Sequence, residues 1–424
     1  MMKSKTRFFP ILFAAALAAV SIGTAGSVIF AAPPEGKGGG KGGGGDDGGS
    51  ETTLPPIRYR IAITDLPIPT SFKSYSGLNE IGELVGYFSM DDGQRGVFVF
   101  NTASGQFTLV EQLVDLEQLP DGYTLGGALD INDHGVIVGY LIDSEGSYHP
   151  CAIDLLSTAP VVDLLPSQLG INSVAFKINN AGDILGLDMS SSGGAYDIAW
   201  TINPGLYGEP DGRAPRTDGV ALDLRGEALD VVPTIVGYGP DACDLSEPLA
   251  GHPAQVAGLD LDRVPFRYTI GTSAVDLYPE LTQEKRAYFA GISTSGTFAG
   301  QATVVIGKKG NKVETQQVNY RFNPDFDAAY QDLQTPGIPE DINNFDELLF
   351  RSVTDPSVFR DWGDGLGERS VNLYDIIVGD SDDVAQFDES VELFHMNDQG
   401  IIVGFIYGNA TETVVVLTPE SVDP

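Results

Sequence analysis

An all-β fold, a β-propeller of about seven four-stranded blades closed by its N-terminal strand, is what this 424-residue sequence predicts. Three observations predict it. A hairpin motif recurs along most of the chain, each recurrence is followed by further β-rich stretches, and the last copy lacks a fourth strand that the N-terminus can supply. A β-solenoid is the alternative, although its coils are usually shorter and need no antiparallel hairpins.

The motif is clearest in Ala128 to Leu141, ALDINDHGVIVGYL: an apolar strand, an Asn-x-x-Gly turn, and a β-branched strand containing a further Gly. Asn side chains bond to nearby backbone groups, and Gly accepts positive φ without penalty, so this pairing marks a chain reversal. The second Gly suits a bulge or a close approach of neighbouring strands. Four clear copies stand at Asn79-Gly82-Gly86, Asn132-Gly135-Gly139, Asn179-Gly182-Gly186 and Asn397-Gly400-Gly404. Two are eroded: Ser293-Gly296-Gly300 has Ser for Asn, and Asn343 is followed by Asp346 and Phe350 where glycines should stand. ALDVVPTIVGY from Ala228 reads as a seventh hairpin with a shortened turn. The copies step by roughly 50 residues, within the range of propeller blades.

Third strands read as GVFVFN (96–101), CAIDL (151–155), DIAWTI (197–202), FRYTI (266–270), VNYRF (318–322) and TVVVL (413–417). Fourth strands tend to end in Asp-Leu: PVVDLL (160–165), VALDL (220–224), AVDLY (274–278) and AYQDL (329–333), with GQFTLVEQL (105–113) and RSVNLY (369–374) as looser cases. After TVVVL the chain ends without one. IRYRIAITDL (57–66) carries the same ending ahead of the first hairpin, so it is expected to complete the last blade. No segment shows helical periodicity.

The pattern IN-x-x-G-x-IVG, followed by an aromatic strand and a closing Asp-Leu, resembles the extracellular HAF-repeat proteins of bacteria across nearly all of residues 57–424. The turn motif carries the resemblance. At the positions of the His-Ala-Phe triplet this chain has Gly96-Val97-Phe98, His149-Pro150-Cys151 and Thr413-Val414-Val415. What the resemblance implies is export and a repeat fold; it transfers no catalytic residue.

Lys3, Lys5 and Arg7, an apolar run from Phe8 to Ile22 and alanines at 25, 31 and 32 follow the three-part plan of a secretory signal peptide over residues 1–32. Residues 33–56 are Gly-rich and read as a disordered linker, leaving 57–424 as the repeat domain. A secreted or periplasmic, monomeric protein with no membrane span after cleavage is expected. Lys+Arg 24 against Asp+Glu 59 gives a net charge of -35, a field that repels nucleic acid and attracts cations and basic partners. Cys151 and Cys243 are too few for a disulfide framework. With an intervening blade between them, they are expected to stay apart as free thiols.

In a propeller the first strand of each blade lies nearest the axis, so the residue two before each turn Asn is a candidate for an axial site. That position reads Gly77, Asp130, Lys177, Gly291, Asp341 and His395, with Asp230 supplied by the shortened copy. Carboxylates beside a Lys and a His suit cation or sugar binding or paired-acid glycoside chemistry, and equally suit hydrogen bonds between blades. Asp361, Asp364 and Glu368, and the acidic run Asp380, Asp382 and Asp383, are candidate calcium ligands on loops, and calcium is the one cofactor suggested. Four scattered histidines give no zinc spacing, and no G-x-S-x-G occurs. Two functions follow: a non-enzymatic binding protein for a glycan or an envelope protein, presenting loops on a propeller, or a polysaccharide hydrolase or lyase with an axial carboxylate site.

Overall fold

A computed structural model describes residues 57–421, apart from 69–71, 90–94, 156, 158–159, 169–171, 190–195, 208–220, 234–242, 250–251, 261, 273, 279–286, 310–311, 325–330, 334, 336, 353–355, 362–366 and 407–411. The expected leader at 1–32 and linker at 33–56 lie outside the described residues. Six four-stranded antiparallel sheets and one five-stranded sheet follow one another as seven blades. The β-propeller is as the sequence predicts. Blade 1 runs Phe72–Leu78, Glu83–Ser89, Arg95–Asn101, Gln106–Leu109; blade 2 runs Thr124–Ile131, Val136–Ile142, Tyr148–Asp154, Val161–Leu164. Blade 3 opens with Ser173–Ile178, blade 5 with Ala287–Ile292, blade 6 with Ile338–Ile342 and blade 7 with Val391–Met396.

The first hairpin of blades 1, 2, 3, 6 and 7 follows from its Asn. In blade 2 the Asn132 carbonyl accepts the Gly135 N–H at 3.1 Å, and its side-chain Oδ1 accepts the N–H groups of His134 and Val136 at 3.1 and 3.0 Å. Gly135 stands at φ +64°; in eroded blade 6 Asp346 takes the same left-handed conformation, at φ +61°. Asp is one of the few side chains that tolerates it.

A bulge recurs in six first strands. The register slips between Tyr75 and Gly77, Ala128 and Asp130, Ala175 and Lys177, Phe289 and Gly291, Pro339 and Asp341, and Leu393 and His395. The second Gly of the motif pairs with the residue just before the slip. A Cβ on Gly139 would lie 2.0 Å from the Gly127 carbonyl oxygen, and one on Gly300 2.1 Å from that of Tyr288. At these two positions the bulged backbone leaves no room for a side chain, whereas blade 6 carries Phe350 at the equivalent place, opposite Pro339.

Ring closure is as expected. Ile57–Leu66 pairs antiparallel with Glu412–Ser421 over ten consecutive residues, from Ile57 opposite Ser421 to Leu66 opposite Glu412. Thr413 Oγ1 donates to Asp65 Oδ1 at 2.8 Å, and Arg60 bonds to Glu420. A fifth strand, Ile377–Val378, lies parallel against Ile57–Leu66. Tyr59 and Ile61 are buried with Phe387 of helix α1 (Ser381–Ser390) in the core of this blade. That helix corrects the all-strand expectation. Its sequence SDDVAQFDES has too few apolar residues to show a stripe, and the face that packs does so through Val384 and Phe387.

Two further readings are corrected in the middle of the chain. Asp230–Val231 is the fourth strand of blade 3, paired with Trp200 and Thr201, and does not open a hairpin. Blade 4 opens at Cys243–Leu245, returns through Gln255–Leu259, and continues with Pro265–Thr269 and Val275–Leu277. Its turn has neither the Asn nor the following Gly, so the neighbouring ALDVV stretch imitated the motif better than the true hairpin did. VALDL (220–224) is likewise not the fourth strand of blade 3: Leu164 N–H donates to Leu222 O and Leu224 N–H to Leu164 O, both at 2.9 Å, at the edge of blade 2. Residues Gly307 to Gln317 belong to a long hairpin of blade 5, Phe298–Lys309 with Lys312–Phe322. Cys151 and Cys243 are buried and unpaired, each thiol pushed up by burial and then by a nearby carboxylate, Asp163 or Asp244.

Two stability measurements check this account. Gly139→Ala is expected to cost about 3 kcal/mol or more in denaturant unfolding, whereas Gly226→Ala, with open space around its Cα, stays within about 0.5 kcal/mol. Removing residues 57–66 exposes the edge of Glu412–Ser421 and is expected to give aggregation or a steep loss of melting temperature; a variant melting like the parent contradicts the closure.

Candidate functional site

In six blades the bulge brings one residue to the axis, and in blade 4 the first strand brings Asp244 there without one. Asp130, Lys177, Asp341 and His395 converge there as the sequence suggests, with Gly77 beside them, lining a funnel of about 140 Å³. Asp230 does not join them: it accepts from the Tyr268 hydroxyl at 2.8 Å and the Gly271 N–H at 2.7 Å at the outer edge of blade 3. Its expected place is taken by Asp244 of blade 4.

The glycines among these axial residues are explained by their neighbours. A Cβ on Gly77 would meet Asp130 Oδ1 at 2.4 Å, and one on Gly291 would meet Asp244 Oδ2 at 3.0 Å. Each axial carboxylate reaches across a seam to the next blade. Asp130 Oδ2 accepts the Ile178 N–H at 2.9 Å, Asp244 Oδ2 that of Ile292 at 3.1 Å, and Asp341 Oδ2 that of Met396 at 2.8 Å. Lys177 Nζ sits 3.4 Å from Asp244 Oδ1, and His395 Nδ1 3.5 Å from Asp341 Oδ2. Burial works to lower the Lys177 ammonium, but Asp244, Asp130 and Asp341 together hold it above its ordinary value. Burial lifts Asp130 to about 6 against the pull of Lys177.

A second layer, which the sequence reading missed, is built from the residue after each turn Asn or the Ser in its place: Glu80, Asp133, Asn180, Glu247, Thr294, Asn344 and Asp398. Its side chains accept backbone N–H groups of the preceding blade: Glu80 N–H to Asp133 (2.7 Å), Asp133 to Asn180 (2.8 Å), Asn180 to Glu247 (2.8 Å), Thr294 to Asn344 (3.0 Å), Asn344 to Asp398 (2.7 Å) and Asp398 to Glu80 (2.7 Å). The signal was present, since a polar residue follows the turn Asn in every copy of the motif. Glu80 is lifted to about 8 by burial and then by the charges of Asp398 and Asp133. Burial, followed by Asp133, Asp183 and Asp398, lifts Glu247 to about 7 against the Asn180 N–H bond. Ile81, Phe345 and Leu249, in the turns that follow this layer, are 54%, 68% and 51% exposed.

Of the calcium candidates, Glu368 gives both oxygens to Arg321, at 3.0 and 2.6 Å, while the Asp361 side chain and Asp364 lie outside the described residues. Asp380 is the N-cap residue of α1, and Asp382 and Asp383 stand in its first turn. Among the described residues no group of three or more His, Cys, Asp or Glu side chains has metal-binding spacing, and no helix is long and apolar enough to cross a membrane.

No family model matches the sequence, and no curated protein matches it. Solved structures do, at low similarity. A chain of the S. cerevisiae complex of Dbp5 with Nup159, Gle1, IP6 and ADP is 12% identical with a TM-score of 0.39, covering 85% of this chain and 96% of that one. TolB from Acinetobacter baumannii is 10% identical with a TM-score of 0.32, over 86% of this chain and 82% of TolB. The Hadza microbial sialidase Hz136 is 10% identical with a TM-score of 0.32, over 61% of this chain and 53% of the sialidase. Similarity at this level carries no functional argument; the propeller rests on its own strand order.

The crowded second layer sets a pH dependence. A carboxyl whose pKa is raised in the folded state binds its proton more tightly there, so its contribution is present below the unfolded value and fades as pH rises through the folded one. For Glu80 that window runs from about 4.5 to about 8. The melting temperature is therefore expected to fall between pH 5 and pH 8.5, and Glu80→Gln, which keeps an acceptor for Asp398 N–H, is expected to flatten the fall. A parent profile rising toward pH 8.5 contradicts this.

Proposed function

We propose that this protein is an exported, non-enzymatic binding propeller whose axial funnel receives a basic group of a partner. The observation that carries the reading is the funnel lining. Glu80, Asp133, Glu247 and Asp398 crowd the second layer, and the chain's own Lys177 is already held among Asp130, Asp244 and Asp341 below it. A cationic side chain entering the funnel offsets the burial and the neighbouring charges that lift Glu80 and Glu247. Ile81, Phe345 and Leu249 supply apolar contacts for the residues flanking that side chain. The net charge of -35 steers a basic partner toward the protein.

The hydrolase or lyase reading is weaker for a stated reason. Paired-acid chemistry needs carboxyls that are accessible to substrate and able to exchange protons with it. Asp130, Asp244 and Asp341 are each engaged by a backbone N–H across a seam. Export is supported by the basic, apolar and small-residue plan of residues 1–32 and by the resemblance to extracellular HAF-repeat proteins.

The test is a library of arginine-centred nonapeptides with apolar flanks, read by fluorescence anisotropy beside citrulline counterparts. At least one arginine peptide is expected to bind, to be lost on citrulline replacement, and to weaken at least tenfold with Glu247→Gln or Phe345→Asp. Release of reducing ends from polysaccharide that disappears in Asp130→Asn would replace this reading with the enzymatic one.

A further inference from the structure

A second cavity, separate from the axial funnel, lies across the seam between blades 4 and 5. Its volume is about 230 Å³, and it is lined by Ser246, Leu249, His252 and Gln255 of blade 4 and Thr294 and Ser295 of blade 5, among others. The repeat pattern explains why it opens here. At five other seams the turn Asn reaches with its Nδ2 to the carbonyl of the next turn: Asn79 to Asn132 (3.1 Å), Asn132 to Asn179 (3.1 Å), Asn179 to Ser246 (3.0 Å), Asn343 to Asn397 (3.3 Å) and Asn397 to Asn79 (3.0 Å). Blade 4 has Ser246 at this position, and a serine is too short to make that span. The second-layer position across the same seam is Thr294, whose hydroxyl bonds instead to Asn344. The seam thus combines the two side chains least able to bridge it.

The lining is unlike the rest of this acidic protein. Its described residues carry an amide, three hydroxyls, an imidazole and apolar surface from Leu249 and Pro253, with no carboxylate, lysine or arginine among them. Gln255 Oε1 is buried with no hydrogen-bond partner among the described residues. An amide oxygen left so is costly, and an incoming donor recovers that cost. Ser246 Oγ accepts the Gln255 N–H at 2.9 Å and keeps its own proton to donate. The wanted ligand is therefore neutral, bears hydroxyl donors and acceptors, and has a C–H face to lay on Pro253 and Leu249. An anion is disfavoured by the field of the chain, and a cation finds no counter-charge in the lining.

We infer that this seam cavity is a binding site for one neutral sugar ring. The volume is below that of drug-sized pockets, which run from about 300 Å³ upward, and suits a single ring. Leu249, 51% exposed, stands at its edge, paired through a short bridge to His252. Leu249 is shared with the surface around the axial funnel, and because Gln255 and Ser246 do not line the funnel, either site can fail without the other.

Saturation-transfer NMR on the whole protein with glucose, galactose and N-acetylglucosamine tests the site. Transfer to at least one sugar is expected from the parent. Gln255→Leu should weaken it at least tenfold by removing the buried acceptor. Ser246→Asn, which restores the residue type of the other blades and fills the seam, should abolish it while leaving the melting temperature at or above the parent's. No transfer from the parent to any of the three sugars, as for a cavity holding only water, overturns the inference. Transfer that persists at parental strength in either variant overturns it as well.

Discussion

The architecture depends on one side chain used twice. Each turn Asn folds its own hairpin through Oδ1 and holds the next blade through Nδ2, as Asn132 does with Val136 N–H on one side and the Asn179 carbonyl on the other. Its amide is buried in every clear copy, where an unpaired donor or acceptor would be costly. Asp offers no donor and Ser no reach, so neither can replace it. Where the motif erodes, neighbouring blades compensate: Ser293 and Ser295 of blade 5 turn to Asp346, the residue standing in for glycine in blade 6.

The bulge is the second device, and it couples the repeat to the axis. An extra residue in the first strand tilts the following one inward, and in blade 2 the bulged backbone leaves room only for Gly139 on the facing strand. Architecture and site chemistry are thus set by one local irregularity. The identity of the axial residue is then constrained by its neighbours around the ring. Asp130 fills the space that any side chain on residue 77 would need, and three aspartates surround a single lysine.

Much of this was legible in the sequence because the turn is local. Asn-x-x-Gly declares itself wherever it stands intact, and the Asp-Leu ending linked Ile57–Leu66 to the last blade across the whole domain. Blade 4 was not legible. Its hairpin closes through Ser246 and a longer turn, while ALDVV carried the familiar opening in an outer strand, so Asp230 was given the axial place of Asp244. Helix α1 was hidden for a different reason: it packs through Val384 and Phe387 alone, too little for a periodic signal. The second polar layer was written in every copy but needs the seam geometry to be understood, because its partners are backbone groups some 50 residues away.

The closure by Ile57–Leu66 has a consequence in time. Asp65 and Thr413 are separated by 348 residues, yet they share one blade. During synthesis the first strand emerges long before the strand it must meet, and it is an extended segment with unpaired edges throughout that interval. Blades 1 to 6 can form in order as they appear, each from its own hairpins. The ring as a whole waits for the last ten paired residues. Folding of this protein should therefore end with a single late, long-range step, and any cellular factor that guards an early strand against wrong pairing would act on its first strand.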